Sequence, residues 1–209
     1  MKKRFNNKLT ILINDFYNFY FKFFSNIKID LFRPIVKNKD ITNLEHATPL
    51  QTVWLLNLKR LYNLFKKEYD SSLYHFIDVG CGNGIPIIYS YKKLKFKSCM
   101  GFDHNNKYVK ISKQNVISSI GNKNNIKIFK DDASTYLLNT RKKYFIFMYN
   151  PFNAYLLNIF IKNNLKGLKK NNSVIAYSNL DEVSKIKVLK KYSNEFTNVD
   201  RYKIYLFRF

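Results

Sequence analysis

The chain has 209 residues, enough for one domain with its own hydrophobic core, and its two cysteines are too few for a disulfide framework. We therefore expect a reducing compartment, the cytoplasm, and no metal, because no spacing of His and Cys indicates a zinc site. The formal net charge of +23 leaves nucleic acid, an anionic membrane surface or an acidic substrate open as partners, although evenly spread lysines equally fit a compositional bias.

The first 33 residues are dense in aromatic and aliphatic side chains and open with a basic cluster. Asp15 and Lys22 interrupt the apolar run, which leaves it short of the roughly 20 apolar residues that a membrane-spanning helix needs. No small-residue cleavage site follows, as it would in a signal peptide. We predict a helix that either packs on the domain or lies in a membrane interface. We favour packing, with at most peripheral membrane contact through residues 1–33.

A second helix is predicted after the sequence His46-Ala47-Thr48-Pro49. Proline suits the first helical position and threonine is a good N-cap, so Thr48 is the expected cap. From Val53 to Phe65, apolar residues recur with the period of an amphipathic helix, which we expect to end near Tyr69.

The stretch from Phe76 to Gly84 carries the strongest signal in the sequence. Phe76–Val79 is a short apolar run typical of a buried strand, and three glycines follow at alternate positions: Gly80, Gly82 and Gly84. A helix with Pro86 in its first turn comes next. Strand, glycine turn and helix form the crossing at which open α/β sheets bind nucleotides. Asp78, inside the strand, is a carboxylate that is costly to bury without hydrogen bonds.

Acidic residues follow the next two predicted strands. Asp103 ends the strand that begins at Ser98 and lies 19 positions after Gly84, close to the spacing at which an acid binds ribose hydroxyls in such folds. The alternative is that Asp103 caps the next helix, predicted from Asn106 to a C-terminal stop at Gly121. The third strand, Ile126–Phe129, is followed by Asp131-Asp132-Ala133.

The remaining chain continues the alternation of strands and helices. Tyr144–Tyr149 is an apolar strand that ends in Asn150-Pro151-Phe152, and Ser173–Tyr177 is a fifth strand. A helix over Val183–Tyr192 is expected to turn three lysines to solvent: Lys185, Lys187 and Lys190. One or two strands close the chain from Phe196 to Phe209. Such alternation predicts an α/β fold with a mainly parallel sheet covered on both faces.

These motifs together resemble the class I methyltransferases that use S-adenosylmethionine. Their motif I, hhDhGxGxG, is matched at every position of residues 76–84, whereas the last glycine of the dinucleotide fingerprint GxGxxG is missing. The resemblance covers residues 46–209 and leaves residues 1–45 as an N-terminal helical extension. It implies one Rossmann-like domain with a mainly parallel seven-stranded sheet, helices on both faces, and a final antiparallel strand at Ile204–Phe209.

The resemblance also implies S-adenosylmethionine as the cofactor, with a role for each motif. Asp78 and the turn Gly80, Gly82 and Gly84 would hold its methionine end, Asp103 its ribose and Asp132 its adenine, with Asp131 as the alternative. Thr48 would belong to the approach segment of the cofactor site. Asn150 would hold or orient the incoming nucleophile, and the ring of Phe152 would wall the methyl-transfer site.

The acceptor is the least determined part. The pairing of Thr48-Pro49 with Asn150-Pro151-Phe152 is similar to a bacterial methyltransferase family and to non-SET lysine methyltransferases. The resemblance to the exocyclic-amine DNA methyltransferases is weaker, because their motif has a second proline. We favour a nitrogen acceptor such as a lysine amine, because a hydroxyl needs a base and none is evident near Asn150, although Tyr149 and His46 could reach the site. An O-methyltransferase for a glycan or small metabolite, and a non-catalytic module that binds nucleic acid or membrane, remain the alternatives.

Overall fold

The computed structural model describes residues 2–27, 53–180 and 182–209, with side chains from residue 8 onward. Seven strands form one sheet: β1 (Tyr74–Val79), β2 (Ser98–Asp103), β3 (Ile126–Lys130), β4 (Lys143–Tyr149), β5 (Val174–Ser178), β6 (Glu195–Val199) and β7 (Ile204–Arg208). Their order is β3-β2-β1-β4-β5-β7-β6. Only β7 runs antiparallel to its neighbours, β5 and β6, so the predicted final antiparallel strand is confirmed.

Six α-helices accompany the sheet within the described residues: α1 (Lys2–Phe24), α2 (Leu55–Phe65), α3 (Ile85–Lys93), α4 (Asn106–Ile120), α5 (Ala154–Lys170) and α6 (Val183–Tyr192). One core cluster joins α1 to α4 to one face of the sheet, and a second joins α5 and α6 to the other face. The predicted α/β fold with helices on both faces is therefore confirmed. Residues 154–170, for which no element is predicted from the sequence, form α5.

The central strands are apolar because both of their faces are covered. The five middle residues of β4 and every residue of β5 are buried, as expected of strands between two helical layers. The edge strand β6 has no buried residue, which agrees with its more polar sequence. Since the parallel strands all end at one edge of the sheet, the loops after β1 to β4 meet there.

The start of α2 differs from the predicted one. The helix begins at Leu55 rather than Pro49, and Trp54 stands at the N-cap position without a side-chain hydrogen bond. Asn18 of α1 takes over the capping, because its Oδ1 accepts the Leu55 N–H at 3.1 Å and its Nδ2 donates to the Val53 carbonyl at 2.7 Å. A packed helix thus satisfies an N–H that a local cap would otherwise satisfy. Thr48 itself and the domain boundary at residue 45 lie outside the described residues.

One face of α1 packs on the domain and the opposite face is exposed. Phe21 is buried against Tyr89 of α3, with ring centroids 5.0 Å apart, and the Tyr17 hydroxyl lies 2.9 Å from that of Tyr89. The exposed face is apolar as well, and its residues are Leu9, Ile11, Leu12, Ile13, Phe16, Phe19, Tyr20, Phe23 and Phe24. Among the described helices, none is long and apolar enough to cross a membrane.

Replacing Asn18 by alanine should destabilise the attachment of α1 to α2. The change removes both hydrogen bonds of a buried side chain and leaves the first N–H of α2 without its acceptor. We expect the free energy of unfolding to fall by about 1–2 kcal/mol, measured by chemical denaturation. Lys8→Ala, at an exposed position of the same helix, is the control and should change little. Equal stabilities for the two variants would contradict the capping role.

Candidate active site

Most of the predicted site residues lie around one cleft at the carboxyl ends of β1 to β4. The described lining includes, from the predicted set, Asp78, Gly80, Gly82, Asp103, Asp132, Asn150 and Phe152. Gly84 does not line the cleft among the described residues and is the N-cap residue of α3. Thr48 falls outside the described residues, so its part in the site stays a prediction.

The glycine turn after β1 packs directly on the segment after β4. Gly80 has a φ of +74°, a conformation that glycine adopts without strain. A Cβ atom built on Gly80 would come within 2.9 Å of the Pro151 Cβ, closer than side chains approach. The N–H groups of Gly80 and Cys81 both donate to the Phe102 carbonyl at 3.0 Å. The turn is therefore held between β2 and the Asn150-Pro151-Phe152 segment.

Asp103 fastens the turn to the end of β2. Its Oδ2 accepts the Gly82 N–H at 3.0 Å and its Oδ1 accepts the Asn105 N–H at 2.9 Å. Each carboxylate oxygen has a second lone pair, so both can still accept a hydroxyl hydrogen bond from a ligand. The alternative role as helix cap is wrong, because Asn105 caps α4 by accepting the Lys107 N–H. Burial raises the pKa of Asp103, and the two N–H donors and His104 partly offset it.

Asp78 is a buried carboxyl group at the floor of the cleft. Its side chain is 3% exposed, and its Oδ2 has no hydrogen-bond partner among the described residues. Burial, and next the negative charge of Asp103, raise the pKa of Asp78 well above its ordinary value. A cationic donor entering the cleft would reverse this shift, because an opposite charge favours the ionised form. The site is thus suited to a ligand with a positively charged hydrogen-bond donor.

Two carboxyl groups after β3 complete the acidic side of the cleft. Asp131 and Asp132 both line it, and both are half-buried. Asp131 Oδ1 accepts the Asp132 N–H at 2.8 Å, and Asp132 Oδ1 accepts the Ser134 N–H at 2.7 Å. Either residue is positioned to contact a ligand, and the choice between them stays open.

Asn150 contacts Lys185, a residue whose side chain is predicted from the sequence to face solvent. Its Oδ1 accepts from Lys185 Nζ at 2.5 Å and from the Tyr177 hydroxyl at 3.4 Å. Lys185 is 1% exposed, and its ammonium also donates to Glu182 Oε1 at 2.8 Å. The predicted solvent-facing position of Lys185 is wrong, because Lys185 lies one helical turn before the buried Leu189 and shares its inward face.

Asn150 therefore does not offer its side-chain oxygen to the nucleophile, although that would be the simplest form of the role predicted for it. An ammonium only donates hydrogen bonds, so the side-chain carbonyl of Asn150 must point to Lys185. With the Tyr177 hydroxyl as a second donor, both lone pairs of that oxygen are engaged. The backbone carbonyl of Asn150 is the remaining acceptor that this residue offers to a substrate. Phe152, the other predicted acceptor-site residue, is buried and lines the same cleft.

Two further lining residues were not singled out from the sequence as cofactor contacts. His104 directly follows Asp103, and its Nδ1 lies 3.5 Å from Asp103 Oδ1. Tyr149 ends β4, and burial raises the pKa of its phenol to about 12. The sequence did offer a signal for each, because His104 directly follows Asp103 and Tyr149 directly precedes Asn150. Since β1 lies between β2 and β4, His104 and Tyr149 stand two strand spacings apart, roughly 10 Å.

Solved structures share this fold at low sequence identity. The N-terminal domain of human METTL16 in complex with SAH is 17% identical with a TM-score of 0.62, over 90% of this chain and 77% of that one. Human methyltransferase 10 domain containing protein is 16% identical with a TM-score of 0.60, over 90% and 91%. A SAM-dependent methyltransferase from Aquifex aeolicus is 17% identical with a TM-score of 0.53, over 73% and 90%. No protein-family model and no curated protein matches the sequence.

The chain has the fold of the S-adenosylmethionine-dependent methyltransferases. The strand order distinguishes this methyltransferase fold from that of nicotinamide-dependent dehydrogenases. The dinucleotide-binding fold has the parallel order 3-2-1-4-5-6. Here the antiparallel β7 is inserted between β5 and β6. The sheet and the incomplete GxGxxG pattern therefore both argue against a dehydrogenase.

Proposed function

We propose that this protein transfers a methyl group from S-adenosylmethionine to a nitrogen atom of its acceptor. The contact between the glycine turn and the Asn150-Pro151-Phe152 segment carries the proposal. At Gly80 and Pro151 the two segments are so close that no Cβ fits between them. A cofactor held by the turn would thus lie beside the residues that receive the acceptor, as methyl transfer requires.

The residues present fit this cofactor. Asp78, whose buried Oδ2 has no partner among the described residues, would accept from the ammonium of the methionine end. Asp103 would accept from the ribose hydroxyls, and Asp131 or Asp132 from the adenine amino group. Four of the 14 acidic residues in this basic chain line the cleft, which suits a cationic ligand. When bound, S-adenosylmethionine supplies a methyl group that its sulfonium has already activated toward nucleophiles.

Nitrogen is favoured because the described residues beside Asn150 offer no base. A hydroxyl acceptor must lose its proton during attack, whereas a neutral amine attacks with its own lone pair. Tyr149, with a pKa raised to about 12, keeps its proton at neutral pH and cannot accept another. His104 lies on the ribose side of the cleft, beside Asp103. The backbone carbonyl of Asn150 would accept from the amine, and the Phe152 ring would exclude water.

The first test is cofactor binding and its dependence on pH. The raised pKa of Asp78 means that this carboxyl becomes protonated as pH falls, and only its ionised form pairs with an ammonium. Calorimetric affinity for S-adenosylmethionine should therefore weaken as pH falls, and Asp78→Asn should weaken it at any pH at which the Asp78 carboxyl is ionised. Asp70→Asn, at an exposed acid, is the control. Absence of binding by the unmodified protein would overturn the proposal.

The second part of the test identifies the acceptor atom. The purified protein is incubated with methyl-labelled S-adenosylmethionine and a fractionated cell lysate, and the labelled product is digested and analysed by mass spectrometry. We expect the label on nitrogen. Label on oxygen would refute the nitrogen assignment while leaving methyl transfer intact, and binding without any transfer would favour the non-catalytic alternative.

A further inference from the structure

A second groove adjoins the cofactor cleft on its α1 and α2 side. It lies among α1, the start of α2, the ends of β4 and β5, and the turn between β6 and β7. The lining residues that matter here are Trp54, Tyr149, Asn179, Arg201, Tyr202 and Lys203. Tyr149 lines both the groove and the cofactor cleft, and Val53, the neighbour of Trp54, lines the cleft. A molecule lying in the groove would thus reach the methyl-transfer site past Tyr149.

The groove is cationic where the cofactor cleft is acidic. Arg201 and Lys203 line it with exposed side chains, and no carboxylate occurs among its described lining residues. The guanidinium of Arg60 lies 3.7 Å from the ring centroid of Tyr202 and donates to Asn57 Oδ1 at 2.8 Å. Its position is therefore fixed by two contacts. Arg60 does not line the groove itself, so the cations that line it are Arg201 and Lys203, which suit the phosphates of a nucleic-acid backbone.

The groove also offers the groups that recognise single bases. Trp54 and Tyr149 are half-buried aromatic residues that line the groove, and Tyr149 also lines the cleft. Unpaired bases bind proteins by stacking on such rings and by hydrogen bonds from their edges to amide groups. Asn179, at the end of β5, places an amide among these side chains. A duplex would not serve, because its bases are already stacked and paired.

The same charges disfavour a protein lysine as the acceptor. A lysine side chain arrives as a cation, and it would have to pass Arg201 and Lys203 and approach the buried ammonium of Lys185 beside Asn150. An exocyclic amine of a base is neutral, and it comes attached to a polyanion that the groove attracts. Resting on the proposed function, we propose that this groove binds single-stranded nucleic acid and that the methyl acceptor is a nitrogen of an unpaired base. The nitrogen lone pair would bond to the methyl carbon as the carbon–sulfur bond breaks, S-adenosylhomocysteine would leave, and the methylated nitrogen would release its proton to water.

The test measures binding of fluorescently labelled 12-nucleotide RNA and DNA single strands to the full chain by anisotropy. Arg201→Gln combined with Lys203→Gln should weaken binding about tenfold or more and flatten its dependence on salt. Trp54→Leu should weaken binding about tenfold by loss of stacking, and Trp54 contributes no side-chain cap that the change would remove. Lys187→Gln combined with Lys190→Gln, at exposed positions of α6 on the opposite face of the sheet, is the charge-matched control.

Affinity for S-adenosylmethionine, measured by calorimetry on each variant, separates this proposal from the proposed function. Unchanged cofactor affinity with lost strand binding supports the groove, and preference for RNA or DNA identifies the natural class. Two results would overturn the proposal. One is that the strands do not bind the protein although it still binds the cofactor, and the other is that the α6 control variant loses as much strand affinity as the groove variant. Methyl transfer to a lysine-rich peptide but not to either strand would assign the acceptor to protein instead.

Discussion

Gly80→Ala is expected to lower turnover by about 10²-fold or more and to weaken S-adenosylmethionine binding, because the added Cβ separates two parts of the site. That Cβ would lie 2.9 Å from the Pro151 Cβ, so the turn or the Asn150-Pro151-Phe152 segment must move. Displacement of reacting groups by about 1 Å is enough to cost a factor of that size. Turnover with the identified acceptor and calorimetric cofactor affinity are the two measurements.

The chain contains a matched control for this variant. Gly121 has a φ of +77°, close to the +74° of Gly80, and a Cβ built on it meets no described residue within 4 Å. Both alanines are strained by a positive φ, but only the one at position 80 meets a neighbour. Gly121→Ala should lose stability without losing activity per folded molecule. If the two variants lose activity equally, the contact between Gly80 and Pro151 is not what positions the site.

The parts of the fold that follow from local pattern could be predicted from sequence. The apolar runs of β1, β4 and β5 are long enough to identify buried strands, and the alternation with helices determines the parallel sheet. The acids at Asp78 and Asp103 follow from their spacing around the glycine turn, and both line the cleft. These signals are local, because each depends on residues within one strand and the loop that follows it.

The features that could not be predicted depend on contacts between distant residues. Asn18 caps α2 across 37 positions, and no sequence pattern near Leu55 indicates it. Lys185 contacts Asn150 across 35 positions, and its position on the inward face of α6 was obscured by three exposed lysines on the same helix. The groove beside Tyr149 is assembled from five separate elements, so its charge emerges only from the tertiary structure.

The two sides of the site carry opposite charges, and this arrangement matches the two ligands proposed. Asp78, Asp103 and the two acids after β3 surround the cofactor cleft, whereas Arg201 and Lys203 line the adjoining groove. The ammonium of Lys185 contacts Asn150, which lines the cofactor cleft. A net charge of +23 alone could not indicate such a division, because it does not locate any charge.

Lys185→Met is expected to lower turnover by about 10²-fold while cofactor affinity stays nearly unchanged, the pattern of a residue that acts on the transition state. Methionine keeps the length and apolar character of the stem but removes the donor at 2.5 Å from Asn150 Oδ1. Among the described residues, the Tyr177 hydroxyl at 3.4 Å is then the donor that remains to hold the amide. Asn150, at a φ of +49°, would lose the contact that orients it toward the acceptor.

Stability distinguishes this role from a structural one. Removing one member of an ion pair is costly when the charge left behind is buried, but the side chain of Glu182 is 48% exposed and stays solvated. A fall in turnover without a fall in unfolding free energy therefore assigns Lys185 to positioning Asn150. Lys187→Met, two residues along α6 and exposed, should leave turnover unchanged. Glu182→Gln removes the carboxylate partner at 2.8 Å but keeps the contact between Lys185 and Asn150, so it should remain active. Full activity of Lys185→Met would show that Asn150 is held in place by the backbone around it, and the ammonium would then have no part in the reaction.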